Sequence, residues 1–322
     1  MRALVTGATG FVGSHLAEAL RRRGDEVTAL ARSPAKAQAL IGLGAQVMPG
    51  DLHDVAALER AAMDQDVVYH VAGMVAARNE AEFLWANRDG TRNVVAAAQA
   101  AGGSRFVLIS SLAAAGPSQR GTPLNGQQPD RPVTAYGRSK LAAEQIVRES
   151  GLRWSIVRPP IVYGPRDREI LKVFRLAQFG IAPVFGNGAQ ELSAVHAVDL
   201  AAALISIGST SATEERTYIP CHPEVFTTAQ FGLAVGAALG RTVITIPIPK
   251  PVGHGLLMLT GAVASLTRQR TILTSDKANE FFQPAWTGDP GPLTRDTGWR
   301  ATYDLKRGLA DTYDWYRQAG WL

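Results

Sequence analysis

The chain has 322 residues, 46% of them hydrophobic and 19% charged, with one cysteine and a formal net charge of +5. That length builds one large domain or two smaller ones and buries a sizeable core without staples. A lone cysteine excludes a disulfide scaffold and fits a reducing compartment. The positive excess is dispersed: its one compact run, Arg21–Arg23, precedes Gly24 at an apparent helix end, where the helix dipole, rather than a nucleic-acid partner, accounts for cations.

Taken in chain order, the runs Ala3–Thr6, Val27–Leu30, Val67–Val71, Phe106–Ser110 and Ser155–Val157 are almost wholly apolar and are separated by alanine-rich segments of helical length. Strands covered on both faces read this way, and the strand–helix alternation implies right-handed crossovers. The expected class is α/β: a Rossmann-type doubly wound parallel sheet. After Arg158 the rhythm breaks. Prolines and glycines crowd Pro159–Gly188, a strand-like piece follows at Ser193–Val198, then a helix at Asp199–Ile207 and another strand at Val243–Pro251. Residues 1–160, with 193–207 returning to them, form the sheet domain; 161–192 and 208–322 form a smaller, interleaved C-terminal α/β lobe. The apolar stretch Val252–Leu266 contains His254 and falls short of the roughly 20 residues that span a bilayer. It reads as a packed helix or an apolar lip on a binding site, so no stable membrane insertion is expected. The opening MRALVTGATG lacks a signal peptide's apolar core, and a cytoplasmic location is expected.

The first strand runs directly into Gly7-Ala8-Thr9-Gly10-Phe11-Val12-Gly13, after which a helix opens. In such a turn the first glycine allows the tight bend, the second a close approach to a pyrophosphate, and the third the packing of helix on strand. The free N–H groups and positive dipole end of the helix suit phosphate. A carboxylate at the end of the second strand would select NAD; here stand Ala31, Arg32 and Ser33, with Lys36 close behind. A small residue leaves room for a ribose 2′-phosphate and a guanidinium can pair with it. NADP(H) is therefore expected in preference to NAD(H), which the site also admits. A solvated surface role for Arg32 is the alternative.

Tyr136 and Lys140 stand four residues apart at the start of a helical pattern, on one face. A free tyrosine titrates near pH ~10, so acid–base work at neutral pH calls for a nearby ammonium and an oxidised nicotinamide to lower it. Upstream, the strand Phe106–Ile109 ends in Ser110-Ser111, hydroxyls at the carboxyl edge where open α/β sheets bind ligands.

Together these residues resemble the extended short-chain dehydrogenase/reductase family over nearly the whole chain. The resemblance covers GATGFVG; Asp51-Leu52, like the family's adenine-contacting pair; Val71-Ala72-Gly73, where its backbone runs along the cofactor; and Asn87 in NRDGTRNV. It continues through Ser111, Tyr136 and Lys140, like the family's catalytic triad, and RPPIVYGP, like the loop that passes the nicotinamide with Pro159, Ile161 and Val162. His196-Ala197-Val198-Asp199 resembles a further signature. The resemblance implies that Tyr136 exchanges a proton with the substrate oxygen while a hydride moves at the nicotinamide. Lys140 would hold the nicotinamide ribose and keep Tyr136 acidic, and Ser111 would hold the substrate oxygen. The alanine-rich helices near 87–101 and 136–149 suit close packing with copies of themselves, the way members of the family often form homodimers; packing within the chain accounts for the alanines equally well.

Two chemistries share this scaffold. Sugar-nucleotide epimerases and dehydratases usually carry an asparagine where Ile161 stands and an arginine near Leu192, both holding a diphosphate; neither is present. The stretches LARSPAK and RPPIVYGP resemble more closely the dihydroflavonol-reductase and 3β-hydroxysteroid-dehydrogenase branch. The expected activity is interconversion of a ketone or aldehyde with an alcohol on a largely apolar small molecule. Met74, Val75, Leu112, Ala113, Tyr163 and His196 are candidate substrate residues. The NDP-sugar reading and a catalytically silent dinucleotide-binding regulator remain as alternatives. His15, His70 and the pair Cys221-His222 read as packed residues; no metal site is expected.

Overall fold

The computed structural model describes residues 1–267, 270–272 and 275–322. The first half alternates β1 (Arg2–Thr6), α1 (Phe11–Arg23), β2 (Glu26–Ala31), α2 (Gln38–Gly42), β3 (Gln46–Pro49), α3 (Val55–Ala62) and β4 (Val67–His70). Then come α4 (Glu80–Phe83), a π-helical turn at Leu84–Asp89, α5 (Gly90–Ala100), β5 (Arg105–Ile109), α6 (Leu112–Ala115), α7 (Ala135–Arg148) and β6 (Trp154–Val157). The rest comprises β7 (Ile161–Tyr163), α8 (Glu169–Ala177), β8 (Ile181–Phe185), β9 (Glu191–Leu192), β10 (Ala194–His196), α9 (Ala197–Ser209), β11 (Arg216–Tyr218), β12 (Phe226–Thr227) and α10 (Thr228–Ala238). It ends with β13 (Ile244–Ile248), α11 (Lys250–Leu266), α12 (Ala278–Phe281), β14 (Ala285–Trp286), α13 (Gly291–Thr297) and α14 (Leu305–Gln318).

Seven parallel strands form the main sheet in the order β11-β6-β5-β4-β1-β2-β3. Its apolar strands are apolar because both faces are covered. On β1, Ala3 and Val5 pack with Leu16 and Leu20 of α1 and Leu200 and Leu204 of α9. Leu4, pointing the other way, packs with Leu58 of α3, Val94 of α5 and Val147 of α7. The strand order reverses between β1 and β4, opening the crevice at the carboxyl edge where such sheets bind ligands.

The smaller lobe packs α8, α10 and α14 through Phe174, Val235, Leu309 and Tyr316. It carries the pair β13–β8 and the three-stranded β12-β9-β14, and the pair β10–β7 links it to the main sheet's layer. The division expected from sequence is too coarse in one respect. Arg216–Tyr218, in the stretch assigned to the lobe, pairs in register with Ser155–Val157 as the seventh strand, and Leu293 and Trp299 are buried in the main sheet's core. A three-residue strand is too short to show a periodicity. The Val252–Leu266 stretch lies in α11, which seats Gly253 against Phe282 and Phe185 and leaves Val252, Leu256 and Leu259 exposed. Among the described residues no helix is long and apolar enough to cross a membrane.

A buried ionic cluster ties α7 to the sheet. Glu144, fully buried, accepts hydrogen bonds from Arg158 Nε at 2.9 Å, Arg158 Nη2 at 2.5 Å, Arg148 Nη2 at 2.8 Å and Ser110 Oγ at 2.5 Å. Arg158 also pairs with Asp130 at 2.7 Å. Removing one partner leaves a buried charge poorly compensated, so Arg158→Leu is expected to cost about 3 kcal/mol of unfolding free energy. Pairing it with Glu144→Leu should recover much of that loss. Urea denaturation of the single and double variants measures both, and a single variant within about 1 kcal/mol of wild type would remove the cluster from the fold's structural supports.

Candidate active site

The turn after β1 has the geometry its glycines suggested. Gly7 takes φ +72°, and a Cβ there would lie 2.7 Å from the Ala72 backbone. At Gly13 a Cβ would lie 2.1 Å from the Gly7 carbonyl oxygen, so only glycine lets α1 close onto the turn. Gly10, exposed, donates its N–H to Gly7 O at 2.9 Å and caps α1 without a side chain. Thr9 is exposed beside it, while Phe11 and Val12 begin α1 half-buried. The result is a cradle of backbone N–H groups at a helix N-terminus, shaped for a dinucleotide's phosphates.

Around it stand the other residues expected at a cofactor. Ala31 is buried at the end of β2; Arg32 and Lys36 are exposed and Ser33 half-buried. Asp51, exposed, spends Oδ1 on its own turn, accepting from His53 N at 2.7 Å and Asp54 N at 3.1 Å. Leu52 packs over Gly90, where a Cβ would meet it at 2.8 Å. Val71 and Ala72 cross the front of β1, and Gly73 comes so close to Lys140 that a Cβ would lie 3.4 Å from Nζ.

Asn87 holds this loop, a role not expected from sequence. Its Oδ1 accepts from Met74 N at 2.7 Å, and its Nδ2 donates to Met74 O at 3.0 Å and Ser139 Oγ at 2.9 Å. Ser139 Oγ in turn donates to Tyr136 O at 2.7 Å. The π-helical turn at Leu84–Asp89 carries Asn87, and such bulges often mark functional sites. A polar chain continues underneath, from Thr91 through His70 Nε2 at 2.9 Å and His70 Nδ1 to Thr6 at 2.7 Å. Burial, with the Lys140 charge nearby, takes His70 down to about 3, so it works as a neutral hydrogen-bonding group.

Ser111 follows β5 and caps α6, its Oγ accepting from Ala113 N at 3.2 Å. Thr134 caps α7, its Oγ1 accepting from Gly137 N at 3.1 Å, and this sets the first turn that presents Tyr136. Lys140 is buried and its Nζ donates to Ile109 O at 2.6 Å, two residues before Ser111. Burial pushes Tyr136 up to about 12, Ser111 pulling the other way and the Glu280 charge adding to the rise. Burial takes Lys140 down to about 8, with Glu144 opposing. The chain by itself holds the phenol in its proton-bearing form.

Ser111 and Tyr136 open onto a cavity of about 470 Å³, walled mainly by apolar side chains, among them Val173, Val184, Phe231, Phe281 and Trp286. Leu112 and Ala113 line it, as do Pro159 and Ile161 from the RPPIVYGP loop; Val162 is half-buried beside them. Met74, half-buried, and Val75, exposed, lie on the Asn87-held loop outside this lining. Two expectations are corrected. Tyr163 and His196 are core residues: the Tyr163 hydroxyl donates to Asp304 O at 3.2 Å, and His196 stacks on Tyr303 at 4.1 Å with Nε2 3.4 Å from Asp311. Pairing of β7 with β10 turns both side chains toward α14 instead of the cavity. Lys277 and Glu280, absent from the sequence expectations, also line the cavity. Among the described residues no group of His, Cys, Asp and Glu is gathered to hold a metal ion.

Comparison with known proteins agrees with this geometry. Residues 3–218 match the model of the NAD dependent epimerase/dehydratase family. The chain is 34% identical to a ceramide reductase of Caulobacter vibrioides over 99% of this chain and 95% of that one. It is 26% identical to a 2-alkyl-3-oxoalkanoate reductase of Stenotrophomonas maltophilia over 96% and 97% of the two chains. Among solved structures, gox2253 superposes with a TM-score of 0.82 at 25% identity, covering 99% of this chain and 98% of that one. A UDP-glucose 4-epimerase of Thermus thermophilus, solved with NAD, gives 0.79 at 24% identity over 99% and 100%, and shares the fold. The chain belongs to the NAD-dependent epimerase/dehydratase family, within the extended short-chain dehydrogenase/reductases, and is an NAD(P)-dependent oxidoreductase.

Proposed function

We propose that the protein uses NADP(H) to interconvert a ketone or aldehyde with an alcohol on a largely apolar small molecule. The observation that carries the reading is the apolar cavity ending at Ser111 and Tyr136. A bound reduced nicotinamide supplies the hydride. Ser111 Oγ then donates to the substrate oxygen and holds it beside the Tyr136 hydroxyl, which releases its proton as negative charge gathers on that oxygen. Burial keeps the Tyr136 hydroxyl protonated before that transfer. Lys140 offers its remaining N–H donors toward the ribose side, next to Gly73, and stabilises the phenolate left behind.

Ile161 and Leu192, both on the cavity wall, support an apolar ligand over a sugar diphosphate, since neither replaces the charge-assisted contacts such a group needs. The reductase names of the relatives support the same direction of chemistry. NADPH oxidation followed at the nicotinamide absorbance, across aldehydes, ketones, steroids and UDP-sugars, tests the proposal. Turnover of apolar carbonyls with UDP-sugars inert supports it; epimerised UDP-sugar, or cofactor binding with no turnover on any carbonyl, overturns it. Tyr136→Phe should leave the cofactor's Kd nearly unchanged and lower kcat about 100-fold or more; turnover within a few-fold of wild type would remove Tyr136 from the mechanism.

Cofactor choice rests on Arg32, exposed just past the end of β2, where no carboxylate competes. Arg32→Ala is expected to weaken NADPH about tenfold while NADH stays within about twofold. Equal affinities of the wild type for the two cofactors would sink the preference.

A further inference from the structure

The apolar cavity contains one ion pair that the proposed chemistry leaves unused. Lys277 and Glu280 are bonded to each other and are the only charged side chains among the described residues that line it. Both are largely enclosed, with side chains 26% and 12% exposed, and the Lys277 ammonium stands 5.9 Å from the centre of the Tyr136 ring. Their height relative to Tyr136 is fixed by α7 itself. Glu280 Oε1 accepts from Thr134 Oγ1 at 2.8 Å, and Asp276 Oδ2 accepts from Ala135 N at 2.9 Å, both at the first turn of the helix. From the far side, Gln190 Nε2 donates to the carbonyls of Glu280, Phe281 and Gln283 at 3.0, 3.2 and 2.8 Å.

An ion pair in an apolar wall costs desolvation that apolar residues of the same volume would avoid, and a purely hydrocarbon ligand would bury it further without recompense. Each member keeps unused capacity. Lys277 has donors beyond the one given to Glu280, and each Glu280 oxygen keeps a lone pair. The pair is neutral as a unit, so a carboxylate ligand meets the Glu280 charge along with that of Lys277. A neutral group with both an acceptor and a donor satisfies the two at once.

We infer that Lys277 and Glu280 form a subsite for a neutral polar group of that kind, a secondary amide being the simplest, placed beside the reacting carbonyl of a substrate that is otherwise apolar. The inference rests on the cavity being the substrate site of the oxidoreductase. It gives the ligand a direction: carbonyl at Ser111 and Tyr136, amide at Lys277 and Glu280, hydrocarbon toward Phe185, which stacks on Phe281 at 4.5 Å.

The test compares N-hexyl-3-oxododecanamide, 3-oxododecanoate and 2-undecanone, which share one acyl chain. Wild type should prefer the amide. Lys277→Met should lower kcat/KM for the amide about tenfold or more and leave 2-undecanone within about twofold, while Lys277→Gln, which keeps a donor, retains part of the preference. Calorimetry with the unreactive N-hexyldodecanamide reads the subsite apart from hydride transfer, and its Kd should weaken about tenfold in Lys277→Met. Equal losses on all three substrates, an amide Kd indifferent to Lys277, or a selective loss on 3-oxododecanoate would each overturn the inference. Should wild type reduce none of the three while amide binding still depends on Lys277, the ketone-reducing reading fails and the subsite stands.

Discussion

One buried carboxylate sets the register of Ser111, Tyr136 and Lys140. Glu144 lies one helical turn beyond Lys140 and two beyond Tyr136, on the face that α7 turns to the sheet. Its bonds reach Ser110, which immediately precedes Ser111, and Arg158, which opens the RPPIVYGP loop. Three elements that must agree to a fraction of an ångström are therefore bonded to the same two oxygens. Leucine at these positions would fill the space, but dispersion contacts do not fix how far a helix slides along a sheet, whereas several directed, charge-assisted bonds do. The desolvation of Glu144 and Arg158 is the cost of that register.

The cofactor side is fixed by contact distance. Gly7 and Gly13 meet across the turn at separations that exclude a Cβ, and Gly73 leaves room between Asn87 and Lys140. Asn87 ties the loop carrying Gly73 and Met74 to Ser139 of α7, three residues from Tyr136. The neutral His70 beneath them continues this scaffold without introducing a second charge near Lys140.

How much of this was readable depended on sequence distance. The glycine turn, the strand ending in Ser111 and the Tyr136–Lys140 pair are local patterns, visible in the sequence as spacings, whose proposed roles came from the family resemblance; the alternating parallel sheet was legible from equally local runs. The seventh strand was not: Arg216–Tyr218 is a strand only because β6 offers it an edge. Tyr163 stands next to the Pro159–Val162 loop in sequence and His196 opens a separate signature, yet the β7–β10 pairing turns both into the core against Tyr303 and Gly308. Asn87 was seen as a position and missed as a clamp, because its partners lie 13 and 52 residues away.

The two halves of the site thus draw on different information. The half that binds the dinucleotide is built from turns whose constraints act over a few residues, and those constraints are the same for any member of the fold. The apolar cavity is assembled from β8, α10 and the Asp276–Trp286 segment, which meet α7 only in three dimensions. Anchoring Asp276 and Glu280 to the first turn of α7 joins the halves: the segment that shapes the cavity is held by the same turn that presents Tyr136. Thr134 also caps the helix through Gly137 N, so the first turn has a support of its own besides the bond to Glu280.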